Sequence, residues 1–520
     1  MTKVKCHALE AHRTWELYYQ IWQNYMPRCL HPYGYIYAVH PFFCFLLGLQ
    51  AGFFGLLVKP GNIQRLYRAV ALAGVWTLLE WSRLFFLSGY TWNPAGIALT
   101  TSIYALQGAT LFGVFGLSFW VILVNILALR AWINRPAKRP VLLWGLLATL
   151  PYAFGFYQLE DHKDAFSQSL EKKDSHLNAL LVQTAFPAEE AIEFPDKQSY
   201  IAFVMDEWTK ILEITKNHIG KQIDLIALPE YVVPFGAYTF MYPQQYVQSI
   251  FNKVYGKEHS AKLPLLEEPF AREYQTDHGN IWFVNNAYWA QGIANVFNSD
   301  LVAGLEDIEK NESGNNYYST AIYFKPGANA ENFVPNRYAK RILLPMAEYI
   351  PFSFCQALAA SYGIQGSFTP GHEATVAQGC KVPFSMSICY EETFGNLMRE
   401  GRQNGSEMLV NLTSDVWYPN SRLPQQHADH ALLRTVENGF PLLRACNTGV
   451  TMAIDSFGRT IDTLKADDEG ASSEWLADAL YVKVPRYHYE TLYTQFGDSL
   501  IVSFCFLSLL FFFIPVYNKI

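Results

Sequence analysis

Four stretches of this chain run for about the length of a membrane-spanning helix without one formal charge: Ile36 to Val58, Thr101 to Leu129, Val141 to Leu159 and Ser499 to Tyr517. Crossing the hydrocarbon core takes roughly 20 mostly apolar residues, in a helix that satisfies its own backbone hydrogen bonds where water is absent. A fifth stretch, Ala69 to Ser88, is apolar except for Glu80 and Arg83. Those two stand at i and i+3, a spacing at which they can neutralise each other, and an ionisable pair inside a span is a functional hint as well as a packing device.

The remaining charge is sorted by region. Lys and Arg outnumber Asp and Glu by 12 to 3 in residues 1–159, acids outnumber bases by 43 to 26 in residues 160–498, and the tail 499–520 carries one Lys and no acid. With 51% hydrophobic and only 16% charged residues, the chain has too little polar surface for a soluble globule and too much apolar content for disorder. An acidic middle between apolar, weakly charged ends predicts one water-soluble domain held between membrane regions, with no nucleic-acid partner.

Lys and Arg beside a span are retained in the cytoplasm. Lys59, Arg65 and Arg68 fill one loop, the loop from Gly89 to Thr100 has no charge, and Arg130, Arg135, Lys138 and Arg139 crowd the next. The loops therefore alternate in, out, in, which puts the acidic domain outside the cytoplasm and returns the tail, with Lys519, inside. The same count requires residues 1–35 to begin outside, yet they carry Lys3, Lys5, Arg13 and Arg28 and no signal-peptide core. Either upstream spans are missing or this segment folds irregularly at the membrane. The domain boundaries expected are an N-terminal segment 1–35, about four spans within 36–159, a soluble domain over 176–485 and a last span over 499–517.

Within the acidic region short apolar runs alternate with helical patterns. Asn178 to Thr184, Ile223 to Leu228, Asn280 to Asn285, Thr320 to Lys325, Phe384 to Cys389, Met408 to Thr413, Leu442 to Cys446 and Val450 to Asp455 read as strands. Ser199 to Asn217, Glu391 to Asn404 and Gln426 to Asn438 read as helices. This alternation predicts a layered α/β domain. The eight cysteines show no CxxC or Cys/His metal spacing. In an oxidising compartment Cys355 and Cys380 are candidates for a disulfide.

Chemistry in α/β sheets collects beyond the C-terminal ends of strands, and three polar residues stand at such places. Glu230 follows an apolar strand in Leu228-Pro229-Glu230, Lys340 lies in Tyr338-Ala339-Lys340-Arg341, and Cys389 ends Phe384 to Ile388 directly before Tyr390-Glu391-Glu392. A Cys at a strand-to-helix elbow is expected to have a lowered pKa, because the helix N-terminus favours thiolate. A carboxylate can take its proton and a Lys can stabilise the oxyanion formed on attack at a carbonyl. Taken singly, each has an ordinary reading as a buried small hydrophobe, a turn or a solvated charge.

The Glu-Lys-Cys order and local contexts resemble the nitrilase superfamily, an α-β-β-α sandwich whose members work through a Cys thioester. Within it the chain resembles the apolipoprotein N-acyltransferase family. The stretches that carry this are Tyr338 to Pro351, Ser387 to Glu391, Asn411 to Trp417 and Pro441 to Asp455, with Glu80-Trp81-Ser82-Arg83 and Gly113 to Asn125 in the membrane part. The resemblance implies an α/β nitrilase-like α-β-β-α sandwich inserted between transmembrane helices. It implies Glu230 as general base, Lys340 as oxyanion stabiliser and Cys389 as nucleophile, supported by Glu348, Tyr390 and Glu391, with Trp417 near the lipid-binding mouth. The chain departs from the family in having Met346-Ala347-Glu348 for Phe-Gly-Glu and Tyr317-Tyr318-Ser319 for Tyr-Asn-Ser, and its front is about three spans shorter than the usual seven.

The function so implied is transfer of an acyl chain from a phospholipid, typically phosphatidylethanolamine, through a Cys389 thioester to the α-amine of a diacylglyceryl-cysteine at an apolipoprotein N-terminus. It is expected to need no metal or organic cofactor, in a monomer of the bacterial inner membrane with several spans and its catalytic domain on the periplasmic side. Two rivals stand beside it: a membrane-tethered amidase whose thioester is resolved by water, and a non-catalytic membrane scaffold, against which the three intact residues count.

Overall fold

The structure is a computed structural model that describes residues 36–513 apart from 189–191, 193, 277–278, 312–313, 330, 334–335, 346, 354, 357–366, 419–420 and 467–471. The segment 1–35 and the end of the expected last span, 514–517, lie outside the described residues.

Two six-stranded sheets lie face to face. The first runs in the order Asp478–Pro485, His176–Gln183, Leu225–Leu228, Asp300–Asn311, Gly314–Phe324, Asn336–Ala339, and the second Thr460–Thr463, Met452–Ile454, Leu442–Cys446, Met408–Thr413, Pro383–Ile388, Val376–Gln378. The central pairs of both sheets are parallel and the outer ones antiparallel. Side chains alternate across a strand. Thus Ala179, Leu181 and Ala227 pack between the sheets against Met386, Ile388, Val410 and Leu412. Their neighbours Leu180, Val182, Ile226 and Leu228 turn outward onto Val204, Trp208 and Ile211 of the helix Lys197–Lys216, which Asp196 caps through the Ser199 N–H at 2.7 Å. Each such side chain taken fully out of water contributes roughly 1.5–3 kcal/mol. The α-β-β-α sandwich expected from the sequence is therefore present.

The helix Leu423–Asn438 joins this sandwich to the apolar bundle. Ala428 and Ala431 cover Leu442 and Ile454 of the second sheet. Leu433 and Val436, on the opposite face, pack with Leu72, Val114, Leu117 and Ile501. Among the described residues two helices, Ala109–Ile133 and Lys138–Leu170, are long and apolar enough to cross a membrane, and Cys44–Leu57 and Ser499–Phe513 are shorter apolar helices.

Three expectations are corrected. Thr101 to Leu129 is not one uninterrupted helix: a single turn, Ile103–Leu106, precedes Ala109–Ile133, and the latter is broken at Gly113, whose φ of 61° and ψ of −164° suit glycine. The break frees the Val114 N–H, which the buried Glu437 carboxylate accepts at 2.7 Å. Glu80 and Arg83 close no ion pair with each other. Glu80 Oε1 accepts from Trp76 Nε1 at 2.7 Å and the Ala95 N–H at 2.8 Å, while Arg83 Nε donates to Gln50 Oε1 at 2.8 Å. Cys355 and Cys380 are both free; the Cys380 thiol donates to Asp300 Oδ1 at 3.0 Å instead.

Candidate active site

Leu225–Leu228 is buried along its whole length and stops at Pro229, which has no N–H to extend the ladder. Glu230 is presented from the turn that follows. The adjacent strand comes so close there that a Cβ at Gly304 would meet Pro229 O at 2.4 Å and Glu230 Cα at 2.6 Å. Hydrogen bonds from the Gly304 N–H to Pro229 O (3.2 Å) and from the Val232 N–H to Gly304 O (2.8 Å) lock the approach.

Lys340 follows the edge strand Asn336–Ala339, its N–H on Ser319 O and its carbonyl accepting the Gly371 N–H, both at 2.8 Å. Its side chain is fully enclosed, and Nζ donates to Glu230 Oε1 at 2.9 Å and to Glu348 Oε1 at 2.5 Å. The second oxygen of Glu348 accepts the Leu344 N–H at 2.8 Å, so this carboxylate holds the Lys from a braced position.

Cys389 closes the Pro383–Ile388 strand with φ at 52°, a left-handed conformation that costs a non-glycine residue of order 1–3 kcal/mol. Its surroundings supply the restraint. The Cys389 carbonyl accepts from Asn411 Nδ2 at 3.3 Å and faces His427 Nε2 at 3.2 Å. Glu391, completely buried, accepts the Ile388 N–H (2.8 Å) on one oxygen, and the Arg341 N–H (2.6 Å), the Ile342 N–H (3.1 Å) and the Tyr338 hydroxyl (2.8 Å) on the other. One carboxylate thereby ties the Cys389 elbow to the Lys340 loop. The expected helix from Glu391 begins instead as the 3-10 turn Cys389–Thr393, and an α-helix follows only from Gly395 to Gln403.

This turn overturns the expectation of a lowered thiol pKa. The α-helix starts beyond the sulfur, and burial, reinforced by Glu230, pushes the Cys389 thiol well above its ordinary value while Lys340 compensates only in part. Burial likewise raises the Glu230 carboxyl; Lys340 opposes that rise and Glu348 adds to it. Burial works against charge on Lys340, but Glu230, Glu348 and Cys389 outweigh it and hold the ammonium well above the usual lysine range. The site thus sets a thiol of raised pKa beside a buried Glu230–Lys340–Glu348 hydrogen-bonded cluster, in which the Glu230 carboxyl is itself of raised basicity.

Beneath the elbow lies a second charged cluster that the sequence did not reveal. His427 sets Nδ1 2.9 Å from Asp415 Oδ1 and Nε2 3.0 Å from Glu392 Oε1, and Arg444 Nε donates to the same Glu392 oxygen at 2.9 Å. Burial alone would raise Asp415, yet His427 and Arg444 outweigh it and hold the carboxyl below its ordinary value. Asp415 and Arg444 stand inside two of the stretches that carried the family resemblance, but nothing local names their partners.

The uncharged loop between membrane helices reaches the same elbow. The Thr91 N–H donates to the Tyr390 hydroxyl at 3.1 Å, and the Trp92 ring lies 6.2 Å from Tyr390 and 5.4 Å from His427. Trp417 is half-buried in the turn after Met408–Thr413. Among the described residues no group of three or more His, Cys, Asp and Glu side chains is placed to hold a metal ion.

Residues 200–484 match the family model for carbon-nitrogen hydrolases, and residues 21–127 match that for the apolipoprotein N-acyltransferase N-terminal domain. The chain is 33% identical over 471 residues to the apolipoprotein N-acyltransferase of Chlamydia pneumoniae, spanning 89% of this chain and 79% of that protein. It is 26% identical over 465 residues to the one from Geobacter metallireducens, spanning 87% and 75%. Among solved structures, Saccharomyces cerevisiae Nit3, a member of branch 10 of the nitrilase superfamily, aligns with 66% of this chain and 96% of its own at 16% identity and a TM-score of 0.36.

Proposed function

The chain belongs to the apolipoprotein N-acyltransferase family, membrane-associated enzymes of lipoprotein N-acylation built on a carbon-nitrogen hydrolase domain, and from that premise we propose a two-step acyl transfer through Cys389. Glu230 takes the thiol proton as the sulfur attacks the ester carbonyl of a phospholipid, phosphatidylethanolamine being the expected donor. Lys340, held by Glu230 and Glu348, stabilises the oxyanion. When the tetrahedral adduct collapses, the ester C–O bond breaks, Glu230 returns the proton to the leaving alkoxide, and a lysophospholipid departs from the thioester. The α-amine of a diacylglyceryl-cysteine at a lipoprotein N-terminus then attacks the thioester, Glu230 accepts the amine proton and restores the thiol, and an amide remains.

The observation that carries this reading is the enclosure of Lys340 between Glu230 and Glu348, with the Cys389 thiol close enough that its ionisation answers to both Lys340 and Glu230. The domain boundaries follow the same reading: spans within 36–159 and after 499, catalytic domain over 176–485. The loop charges support several spans in the inner membrane with the catalytic domain outside the cytoplasm. Both lipid substrates then stay in the bilayer, which avoids a cost of about 0.8 kcal/mol for each exposed CH₂. Tyr390 and Glu391 serve as elbow supports, and Trp417 as a wall of the lipid mouth.

The test is mass spectrometry of the purified protein after incubation with phosphatidylethanolamine, followed by a diacylated lipopeptide. An acyl adduct on Cys389 that moves to the lipopeptide amine is expected. An adduct lost only to water favours the amidase, and no adduct at all sinks both enzyme readings.

A further inference from the structure

The pair Glu80 and Arg83 has no part in the reaction above, yet both line a cavity of ≈290 Å³ that does not include Cys389. The cavity lies where the bundle meets the catalytic domain. Its walls also carry Arg341, next in sequence to Lys340, and Thr393, at the end of the 3-10 turn that begins at Cys389. At about 2.0 Å rise per residue, four residues of such a turn place this wall roughly 8 Å along the chain from the nucleophile. The volume falls near the lower end for small-molecule sites.

Most charges around the cavity are already answered. Arg341 donates to Glu400 at 2.6 Å, and Asp498 accepts from Asn396 and from the Tyr493 hydroxyl. Two groups are not. Glu80 is only 3% exposed and its Oε2 has no hydrogen-bond partner, although Ser118 flanks the carboxyl; its other oxygen is fully used by Trp76 and Ala95. Arg83 is anchored through Nε, and among the described residues its two Nη atoms have no hydrogen-bond partner. A buried carboxylate oxygen lacking a donor and a guanidinium fork lacking an acceptor call for one ligand that has both. With Arg341 and Glu400 cancelling, Asp498 leaves a negative excess, which favours a ligand bearing an ammonium over one that is purely anionic.

We infer that this cavity seats the zwitterionic phosphoethanolamine headgroup of the phospholipid donor, its phosphate on the Arg83 fork and its ammonium on Glu80. This deepens the acyltransfer reading and rests on it. The site lies at the end of Leu66–Ser82 away from Arg65 and Arg68, the end that the loop charges put at the outer surface. A lipid held there by its head has its ester bonds on the same side of the bundle as the elbow.

The test uses the full chain in detergent with Cys389→Ala, so that binding is measured without turnover. Isothermal titration compares dihexanoyl phosphatidylethanolamine with dihexanoyl phosphatidylglycerol. Glu80→Gln, which keeps the acceptor for Trp76 and Ala95, is expected to weaken the ethanolamine lipid about tenfold and leave the glycerol lipid within twofold. Arg83→Gln is expected to weaken both about tenfold, and Arg83→Lys, which keeps the charge and loses the fork, to fall between. Thermal melts confirm that each variant is folded; if Arg83→Gln is not, Arg83→Lys and Glu80→Gln decide. Unchanged affinities in folded variants would overturn the headgroup site. Headgroup binding that follows this pattern in a protein whose native Cys389 forms no thioester would support the site and remove the reaction.

Discussion

The Lys340 ammonium lies 2.9 Å from Oε1 of Glu230, although 110 residues separate the two in sequence. Neither side chain is at home in a buried site alone: Lys340 opposes the rise that burial imposes on the Glu230 carboxyl, and Glu230 with Glu348 holds the Lys340 ammonium well above the usual lysine range.

Removing the cation should therefore act on folding and on chemistry together. Lys340→Met leaves Glu230 and Glu348 facing each other uncompensated, and breaking a buried pair costs about 3–5 kcal/mol. A lower melting temperature is expected, with thioester formation reduced by at least about 10²-fold from loss of the proposed oxyanion contact. Glu348→Gln keeps the acceptor toward Lys340 and should lose less of both. A Lys340→Met protein that forms thioester at the native rate would remove Lys340 from the reaction.

The pH profile tests the base. Burial raises the Glu230 carboxyl, so the form able to take a proton is lost as pH falls through a value above the ordinary glutamate range, and the rate rises with pH across it. The Cys389 thiol titrates well above its usual range, so no second rise from free thiolate is expected near neutrality. Because these groups titrate together, the acid limb belongs to the set. Single-turnover thioester formation from pH 4.5 to 9 measures it; a limb centred at or below about 4.3 contradicts a buried Glu230 base.

Gly304 is required by close approach. A methyl there would stand 2.4 Å from Pro229 O and 2.6 Å from Glu230 Cα, both backbone atoms with little room to yield. Gly304→Ala is expected to destabilise by about 1–3 kcal/mol and to lower the thioester rate by displacing Glu230. The readout is melting temperature together with kcat at saturating lipid. Native values for both would show that the two strands can part without cost.

Glu391 is tested by its isostere. Its two oxygens satisfy four donors, and Gln brings one oxygen and an NH₂ that faces an N–H. Each buried donor left without an acceptor costs about 1–3 kcal/mol. Glu391→Gln should melt earlier and lose thioester formation, with the elbow freed from the Lys340 loop, while Glu391→Asp, retaining charge but shorter, should be partly active. Equal activity in all three proteins would reduce Glu391 to packing.

Much of this was legible beforehand for a common reason. Met408 to Thr413 and Leu442 to Cys446 are strands over the residues the apolar pattern marks, and Ser199 to Asn217 differs from Lys197–Lys216 by two residues at one end and one at the other. Periodicity and chain-stop residues such as Pro229 are local, so the sequence displays them. The strand Asp300–Asn311 went unread, since Glu306, Asp307, Glu309 and Lys310 give its outer half the composition of a surface loop. The kink at Gly113 escaped because the acceptor that takes up the freed N–H, the Glu437 carboxyl, lies 323 residues beyond it.

By itself the sequence determined the apolar segments, the alternating α/β pattern and the three polar residues at strand or loop ends, all properties of short windows. Tertiary structure alone decided how those groups are charged and whom they meet. It raised the Cys389 thiol by burial beside Glu230 where an elbow at a helix start would have lowered it, drew His427, Asp415, Glu392 and Arg444 together beneath the elbow, and left Glu80 and Arg83 turned to other partners instead of to each other. Desolvation and ion pairing depend on which distant segments close around a group, and i, i+3 spacing fixes proximity along a helix without fixing the competing acceptors that tertiary contacts bring.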